Sequence, residues 1–325
     1  MGAILVTGGA GFIGSHLADR LLADGRDVVV LDNFDPFYAA EDKLRNLEAA
    51  GLHRGFRLVR GDIRDPLAVE AALDALPVDA VVHLAARAGV RPSIEDPVLY
   101  TSVNLDGTVL LLEACRRRGI GRFVFGSSSS VYGNNVKVPF AEDDAVDHPI
   151  SPYAATKRAG ELLAYTYHQL FGMKVACLRF FTVFGPRQRP DLAIRKFATL
   201  LATGKPLPVF GDGTSGRDYT FVDDIVDGIV RALDRATGYH IWNLGGSRPI
   251  ALNEVIARLS RGLGRAPELQ RLPPQPGDVE RTFADVTRAR RDLDWAPLTG
   301  FDEGMDSFLA WFASERGRAA AGGTR

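Results

Sequence analysis

The chain has 325 residues, 46% hydrophobic and 24% charged, with a formal net charge of -1. That length suits one large α/β domain with a smaller lobe, and the composition is that of an ordinary folded globule. The charge balance offers no basic field for nucleic acid, and nowhere does an apolar run reach membrane-spanning length.

The first strand is expected at residues 3–7, directly after Met1-Gly2 and with no basic leader, so a cytoplasmic protein is expected. Further strands are expected at 27–31, 57–60, 80–84, 122–125 and 174–178. Amphipathic helical patterns at 15–23, 98–118 and 154–170 lie between them. Apolar strands alternating with helices predict a doubly wound, Rossmann-type parallel sheet covered on both faces, with ligands at the carboxyl ends of its strands. Beyond Arg179 the rhythm changes and Gly and Pro cluster; a helix is expected at 193–202. A strand at 218–221 and a helix at 224–232 are expected to return to the main sheet. Helices at 253–263 and 300–312 complete a small α/β lobe. The expected division is a dinucleotide-binding domain over 1–179 with about 217–247, a substrate lobe over about 180–216 and 248–315, and a flexible tail over 316–325. Cys115 and Cys177 lie in apolar stretches and read as small buried hydrophobes of a reducing compartment. His16, His83 and His148 show no metal-ligand spacing, and no metal is expected.

Thr7-Gly8-Gly9-Ala10-Gly11-Phe12-Ile13-Gly14 joins the first strand to the first helix. Gly8 permits the tight turn, Gly11 lets backbone amides approach a pyrophosphate, and Gly14 allows close helix–strand packing; Phe12 and Ile13 complete the turn. The helix N-terminus presents free N–H groups to the phosphates. The second strand ends in Asp32, whose carboxylate suits both ribose hydroxyls of NAD and repels the 2′-phosphate of NADP; Asn33 follows where an arginine would favour NADP. Asp62-Ile63 is placed to hold the adenine, and Leu84-Ala85-Ala86 supplies small residues beneath the cofactor.

Ser151-Pro152-Tyr153-Ala154-Ala155-Thr156-Lys157 opens a helix, with Tyr153 and Lys157 one turn apart on one face. A phenol with its ordinary pKa of about 10 is a poor base at neutral pH; a neighbouring ammonium and a positive nicotinamide ring favour the phenolate. Tyr153 then takes a proton from a sugar hydroxyl while hydride leaves the same carbon for NAD, and Lys157 also bonds the nicotinamide ribose. Ser127-Ser128-Ser129-Ser130 follows the fifth strand, and Ser128 is the hydroxyl expected on the reacting oxygen.

Taken together, TGGAGFIG, Asp32, HLAA, Asn104 in VNLDGT, SSSSVYG, YAATK, RFFTVFGP and RDYTFVDD resemble the extended short-chain dehydrogenase/reductase family, in its nucleotide-sugar epimerase branch, over essentially the whole chain. The resemblance implies a retained NAD, with Asn104 among its binding residues, and a C-terminal lobe holding a nucleotide diphosphate. It also implies a homodimer joined as a four-helix bundle by the 98–118 and 154–170 helices. Dehydratases and UDP-glucuronate decarboxylases of this family carry an acid just before Val-Tyr-Gly. Here Ser129 and Ser130 precede Val131-Tyr132-Gly133, which disfavours dehydration.

Finer similarity is to UDP-glucuronate 4-epimerases. Oxidation at C4 of a glucuronate makes a β-keto acid prone to lose CO₂, so the carboxylate must be held without a proton donor. Ser129, Ser130 and Thr182 suit that, and Thr182 stands where UDP-galactose 4-epimerases resemble one another in carrying Asn; it also reads as an ordinary strand-end residue. Arg91 reads either as charge near the sugar acid or diphosphate, or as a surface ion pair. Arg217 heads the diphosphate candidates because a guanidinium fork matches phosphate, with Arg189 and Arg187 after it. Phe210 reads equally as a base-stacking or a core residue. Asp278 resembles the family's acid on the nucleotide ribose, whereas Gln275 stands where some epimerases carry Arg. The expected activity is reversible C4 epimerisation of UDP-glucuronate to UDP-galacturonate. The alternatives are a neutral UDP-hexose or UDP-N-acetylhexosamine as substrate, a decarboxylase or dehydratase, and a non-catalytic NAD sensor.

Overall fold

A strand that is apolar on both faces needs cover on both. The computed structural model describes residues 2–246, 248–273 and 279–322, with side chains to residue 315. In chain order its strands are β1 (Ala3–Thr7), β2 (Val28–Asp32), β3 (Phe56–Arg60), β4 (Val78–His83), β5 (Arg122–Ser128) and β6 (Lys174–Phe180). Then come β7 (Thr182–Phe184), β8 (Leu207–Phe210), β9 (Gly216–Phe221), β10 (Tyr239–Leu244), β11 (Pro249–Ala251) and β12 (Leu269–Leu272). Seven of them form one sheet in the order β3-β2-β1-β4-β5-β6-β10, with every pair parallel. Alternate residues serve the two faces. Ile4 and Val6 of β1 join a core with Leu17 and Leu21 of the first helix, while Leu5 joins Leu111 and Leu112 on the opposite face.

From β1 the chain winds outward to β2 and β3, then crosses back to β4 on the other side of β1. The loops after β2 and β4 therefore flank the loop after β1, and the crevice between them is where such sheets bind ligands. The helix that carries the YxxxK sequence, Pro152–Phe171, is fixed at both ends. The Ser151 hydroxyl accepts the Ala154 N–H at 3.1 Å, Pro152 takes the first helical position, and Gly172 ends the helix at φ 67°. Gly160 lets this helix ride directly on β5, because a Cβ there would stand 2.4 Å from the Phe125 ring.

Three expectations need correction. The strand at Gly216–Phe221 does not return to the main sheet; it pairs with β7 and β11 in a separate three-stranded sheet. What returns is the following helix, Val222–Arg235, and then β10 beside β6. Tyr239-His240-Ile241-Trp242-Asn243-Leu244 lacks the unbroken apolar run of a central strand because it is an edge strand paired on one side only. The single helix expected over 98–118 is interrupted: Pro97–Thr101 leads through a π-helical turn, Ser102–Asp106, into Gly107–Arg118. Finally, β5 extends through Ser128, so Ser127 and Ser128 are strand residues and a tight helical turn, Ser129–Tyr132, follows.

β8 and β12 form a two-stranded sheet, and the helices Ala193–Ala202, Leu252–Leu263 and Phe301–Gly322 pack with the smaller sheets. Cys115 and Cys177 are unpaired and buried. Among the described residues, no helix is long and apolar enough to cross a membrane, and no group of three or more His, Cys, Asp or Glu is arranged to hold a metal ion.

Candidate active site

At the carboxyl ends of the parallel strands lies a cavity of about 510 Å³. Its floor is the glycine loop. Gly8 has φ 70°, and a Cβ on it would stand 2.7 Å from the Ala85 nitrogen, so only glycine lets the loops after β1 and β4 approach this closely. A Cβ on Gly14 would lie 2.4 Å from the Gly8 carbonyl; this glycine packs the helix against its own entry loop rather than against the strand. The first intrahelical bond runs from Ser15 N–H to the Gly11 carbonyl at 3.0 Å, which leaves the Phe12, Ile13 and Gly14 amides without a carbonyl one turn back. They are the anion-binding end of the helix.

Asp32 is buried, and its two carboxylate oxygens each accept one backbone N–H, from Ala10 at 3.0 Å and from Phe34 at 2.8 Å. Burial raises its pKa, opposed chiefly by Lys43. Each oxygen keeps a lone pair for a ribose hydroxyl. Asn33, Asp62 and Ile63 line the same end, where Asn33 donates to Asp62 at 2.9 Å. Arg64 and Asn33 hold the Asp62 carboxyl down at about 2. Leu84, Ala85 and Ala86 line the cavity beneath. His83 is a structural group: its ring bridges Thr7 and Thr108 at 2.7 and 2.9 Å, and burial pushes its pKa down to about 3.

Tyr153, Lys157 and Ser128 line the cavity together. Lys157 is buried, donates to the Gly126 carbonyl at 2.6 Å, and has its pKa lowered by burial to about 8, with Glu161 one turn on acting to raise it. The phenol of Tyr153 differs from expectation. Burial raises its pKa, and the groups opposing that are the Ser128 hydroxyl, through a hydrogen bond, and the charge of Arg189; Lys157 is not among them. The lysine's charge is directed instead at the end of β5. Glu161 is itself fully buried. It accepts from Ser127 at 2.7 Å, from Arg179 at 2.8 and 2.9 Å, and from Arg158 at 3.1 Å.

Ser129, Ser130 and Thr182 line the same cavity, with the Ser128 hydroxyl 3.1 Å from that of Ser130. The described carboxylates of this cavity are Asp32, Asp35 and Asp62 at the glycine-loop end and Asp191, which is bonded twice to Arg189 at 2.8 and 2.9 Å. Arg189 lines the cavity. Arg187 does not: its guanidinium pairs with Asp19 of the first helix at 2.8 Å and borders a separate pocket beside Trp311, because the local backbone at φ 60° turns it aside. Asn104 does not line the cavity either. It is buried behind the wall, bonding the Arg87 N–H at 2.8 Å, the Arg87 carbonyl at 3.0 Å and Thr156 at 3.0 Å. Arg91 and Phe210 stand together outside the cavity, the guanidinium 4.4 Å from the ring centre. Arg217 is also outside the cavity and donates to the Gly216 and Glu280 carbonyls at 3.0 and 3.4 Å. Asp278 and Gln275 lie outside the described residues.

Among the further lining residues to which the sequence assigned no site role are Asp35, Phe37, Tyr38, Lys43 and Arg87. Lys43 is buried, donates to the Asp35 carbonyl at 2.9 Å and lies 4.8 Å from the Tyr38 ring centre. The only available signal was a lysine and two aromatics close behind Asp32, in a stretch without periodicity. The hydroxyl of Tyr38 and the Nε of Arg87 are buried without a hydrogen-bond partner. A glycine cradle with no room for side chains, free helix amides and two unused donors fit an oxygen-rich dinucleotide.

The profile of the NAD dependent epimerase/dehydratase family matches residues 4–245. A UDP-glucuronate 4-epimerase of Thermodesulfobacterium geofontis is 41% identical over 312 residues, 96% of each chain. Among solved structures, UDP-glucuronic acid 4-epimerase from Bacillus cereus, in complex with UDP-glucuronic acid and NAD, has a TM-score of 0.90 at 36% identity, covering 96% of this chain and 99% of that one. UDP-glucose 4-epimerase of Thermus thermophilus, in complex with NAD, has a TM-score of 0.87 at 37% identity, covering 96% of this chain and 99% of that one.

Proposed function

The chain belongs to the NAD-dependent epimerase/dehydratase family, and from that premise we propose that it interconverts UDP-glucuronate and UDP-galacturonate by epimerisation at C4. The observation that carries this reading is the asymmetry of one cavity. Tyr153 and Lys157 share it with the glycine loop and with the neutral hydroxyls Ser129, Ser130 and Thr182, while among the described lining carboxylates Asp191 is tied to Arg189. Such a lining binds a sugar carboxylate without supplying the proton that decarboxylation or dehydration consumes.

The glycine-loop amides, Asp32 and the Asp62 end would hold NAD. When bound, it supplies the hydride acceptor and a positive charge. Tyr153 removes the proton from the C4 hydroxyl and returns it after the 4-keto sugar has turned over, while Ser128 orients that oxygen. Lys157 fixes the end of β5 through Gly126 and adds positive charge to the site. Residues 180–216 and 248–315 take the nucleotide part of the substrate. A homodimer and a cytoplasmic location belong to the same reading; exposed Val98 on the Pro97–Thr101 helix and Leu162 and Tyr165 on Pro152–Phe171 support the first, and two buried free thiols the second.

Purified protein incubated with UDP-glucuronate should give UDP-galacturonate by NMR, with no CO₂ released. Conversion of UDP-glucose or UDP-N-acetylglucosamine in preference to UDP-glucuronate would replace the acid by a neutral sugar, a reading that similarity to the Thermus UDP-glucose enzyme supports.

A further inference from the structure

The loop after β2 and the loop after β4 stand on opposite sides of β1, yet they are joined by side chains. Asp35 and Arg87 form an ion pair, with side chains 30% and 22% exposed. Because β1 lies between β2 and β4 in the sheet, this pair crosses above the end of β1, where the glycine loop opens.

Both ends of the crossing are anchored. The Asp35 side chain accepts the Phe37 N–H at 2.9 Å, and its carbonyl accepts Lys43 at 2.9 Å. Arg87 has its backbone gripped on both sides by Asn104, which reaches the catalytic helix through Thr156. The Arg87 guanidinium lies 5.4 Å from the Phe37 ring centre, and Arg189 approaches the same ring at 5.6 Å. Within this closure, Arg87 Nε and the Tyr38 hydroxyl are buried donors without partners, and the Tyr38 oxygen is 4.0 Å from where a Cβ on Gly11 would stand. A buried donor left unpaired is costly, so a cavity that keeps two beside a glycine loop is built for a ligand rich in acceptor oxygens.

We propose that Asp35 and Arg87 form a clasp over the dinucleotide, and that Arg87 Nε and the Tyr38 hydroxyl donate to its phosphate or ribose oxygens. The purpose rests on the epimerase reading. A reaction that removes hydride and then returns it fails if the reduced cofactor escapes midway, so slow release of the dinucleotide is a requirement of turnover.

The test measures release of bound NAD from the purified holoprotein, without any sugar nucleotide, using a second dehydrogenase in excess as a trap. Arg87→Gln and Asp35→Asn should each release NAD roughly tenfold faster, and the double variant no faster than the faster single one. Tyr38→Phe, which removes one hydroxyl and disturbs folding least, should release it roughly threefold faster. Unchanged release in both single variants, or a double variant whose acceleration is the product of the two, overturns the clasp; unchanged release in Tyr38→Phe overturns the hydroxyl's part. Since no sugar is present, a failure of the substrate assignment would leave these rates, and the conclusion from them, intact.

Discussion

The ammonium of Lys157 sits 2.6 Å from the Gly126 carbonyl, holding the Pro152–Phe171 helix to the last residues of β5. This places Tyr153 and Ser128, on those two elements, against one another. Tyr153→Phe should therefore lower turnover by about 10²- to 10⁴-fold, the range of a lost acid–base group. Bound NAD should remain, as read by its absorbance after gel filtration. Substantial turnover in that variant would remove the phenol from the chemistry.

Thr182 lines the cavity together with Tyr153, Ser129 and Ser130. Thr182→Val keeps the shape and removes one hydroxyl. If that hydroxyl binds the sugar carboxylate, kcat/KM for UDP-glucuronate should fall about 10- to 100-fold, the range for a hydrogen bond to a charged group. Equal losses for UDP-glucuronate and UDP-glucose would show that the residue does not read the carboxylate.

Glu161 and Arg179 form a pair that is almost entirely shielded from water. Glu161→Gln leaves the arginine's charge uncompensated and should cost about 3–5 kcal/mol of stability by urea unfolding. Because Glu161 also raises the Lys157 pKa against burial, the same variant should lose charge on that lysine at lower pH, shifting the alkaline limb of the rate profile downward. A stability loss with an unmoved alkaline limb would confine Glu161 to a structural role.

His16 of the first helix donates to the Pro186 carbonyl at 3.0 Å. Burial, then Arg187, lowers its pKa from 6.5 to about 4, and Asp223, 3.6 Å from the other ring nitrogen, does not reverse this. Between those two values the unfolded chain binds a proton that the folded chain refuses, so stability rises with pH across that window and is lost on acidification. The loss from this group is about 2 kcal/mol by pH 5. Urea midpoints of wild type and His16→Gln at pH 7 and pH 5 should show the variant to be the less pH-sensitive.

If, as proposed, the Asp32 carboxylate holds the ribose and excludes a 2′-phosphate, Asp32→Ser should weaken NAD binding and narrow its preference over NADP. The measurement is the ratio of the two dissociation constants. An unchanged ratio would mean that discrimination resides elsewhere in the cavity.

The parts of the site legible in the sequence are those whose residues are near neighbours along the chain. The glycine turn, Asp32 at a strand end and the Tyr153/Lys157 spacing each report a local geometry that no distant contact needs to complete. Much of the rim of the same cavity was illegible because it is assembled by pairs far apart in sequence, Asp35 with Arg87 and Phe37 with Arg189, of which only Arg189 stands out in the sequence alone. Arg187 shows the converse, since its neighbours along the chain suggest a phosphate ligand while Asp19 claims it. The same distinction explains the fold. Central strands declare themselves through continuous apolar runs, whereas β10 at the edge carries His240 and Asn243. β9 reads like a central strand but belongs to another sheet, and pairing partners leave no mark on a single strand's composition.

Gly160 fixes the spacing between the Pro152–Phe171 helix and β5 at the closest contact a backbone allows. The helix that bears Tyr153 is thus seated like a bolt with no washer beneath it. One added methyl at this position would lift Tyr153, Thr156 and Lys157 in concert, while the glycine turn and Asp32 sit on other elements. Such a protein would keep its glycine turn yet hold the phenol at the wrong height, so a residue that touches nothing reactive sets the working gap of the machine.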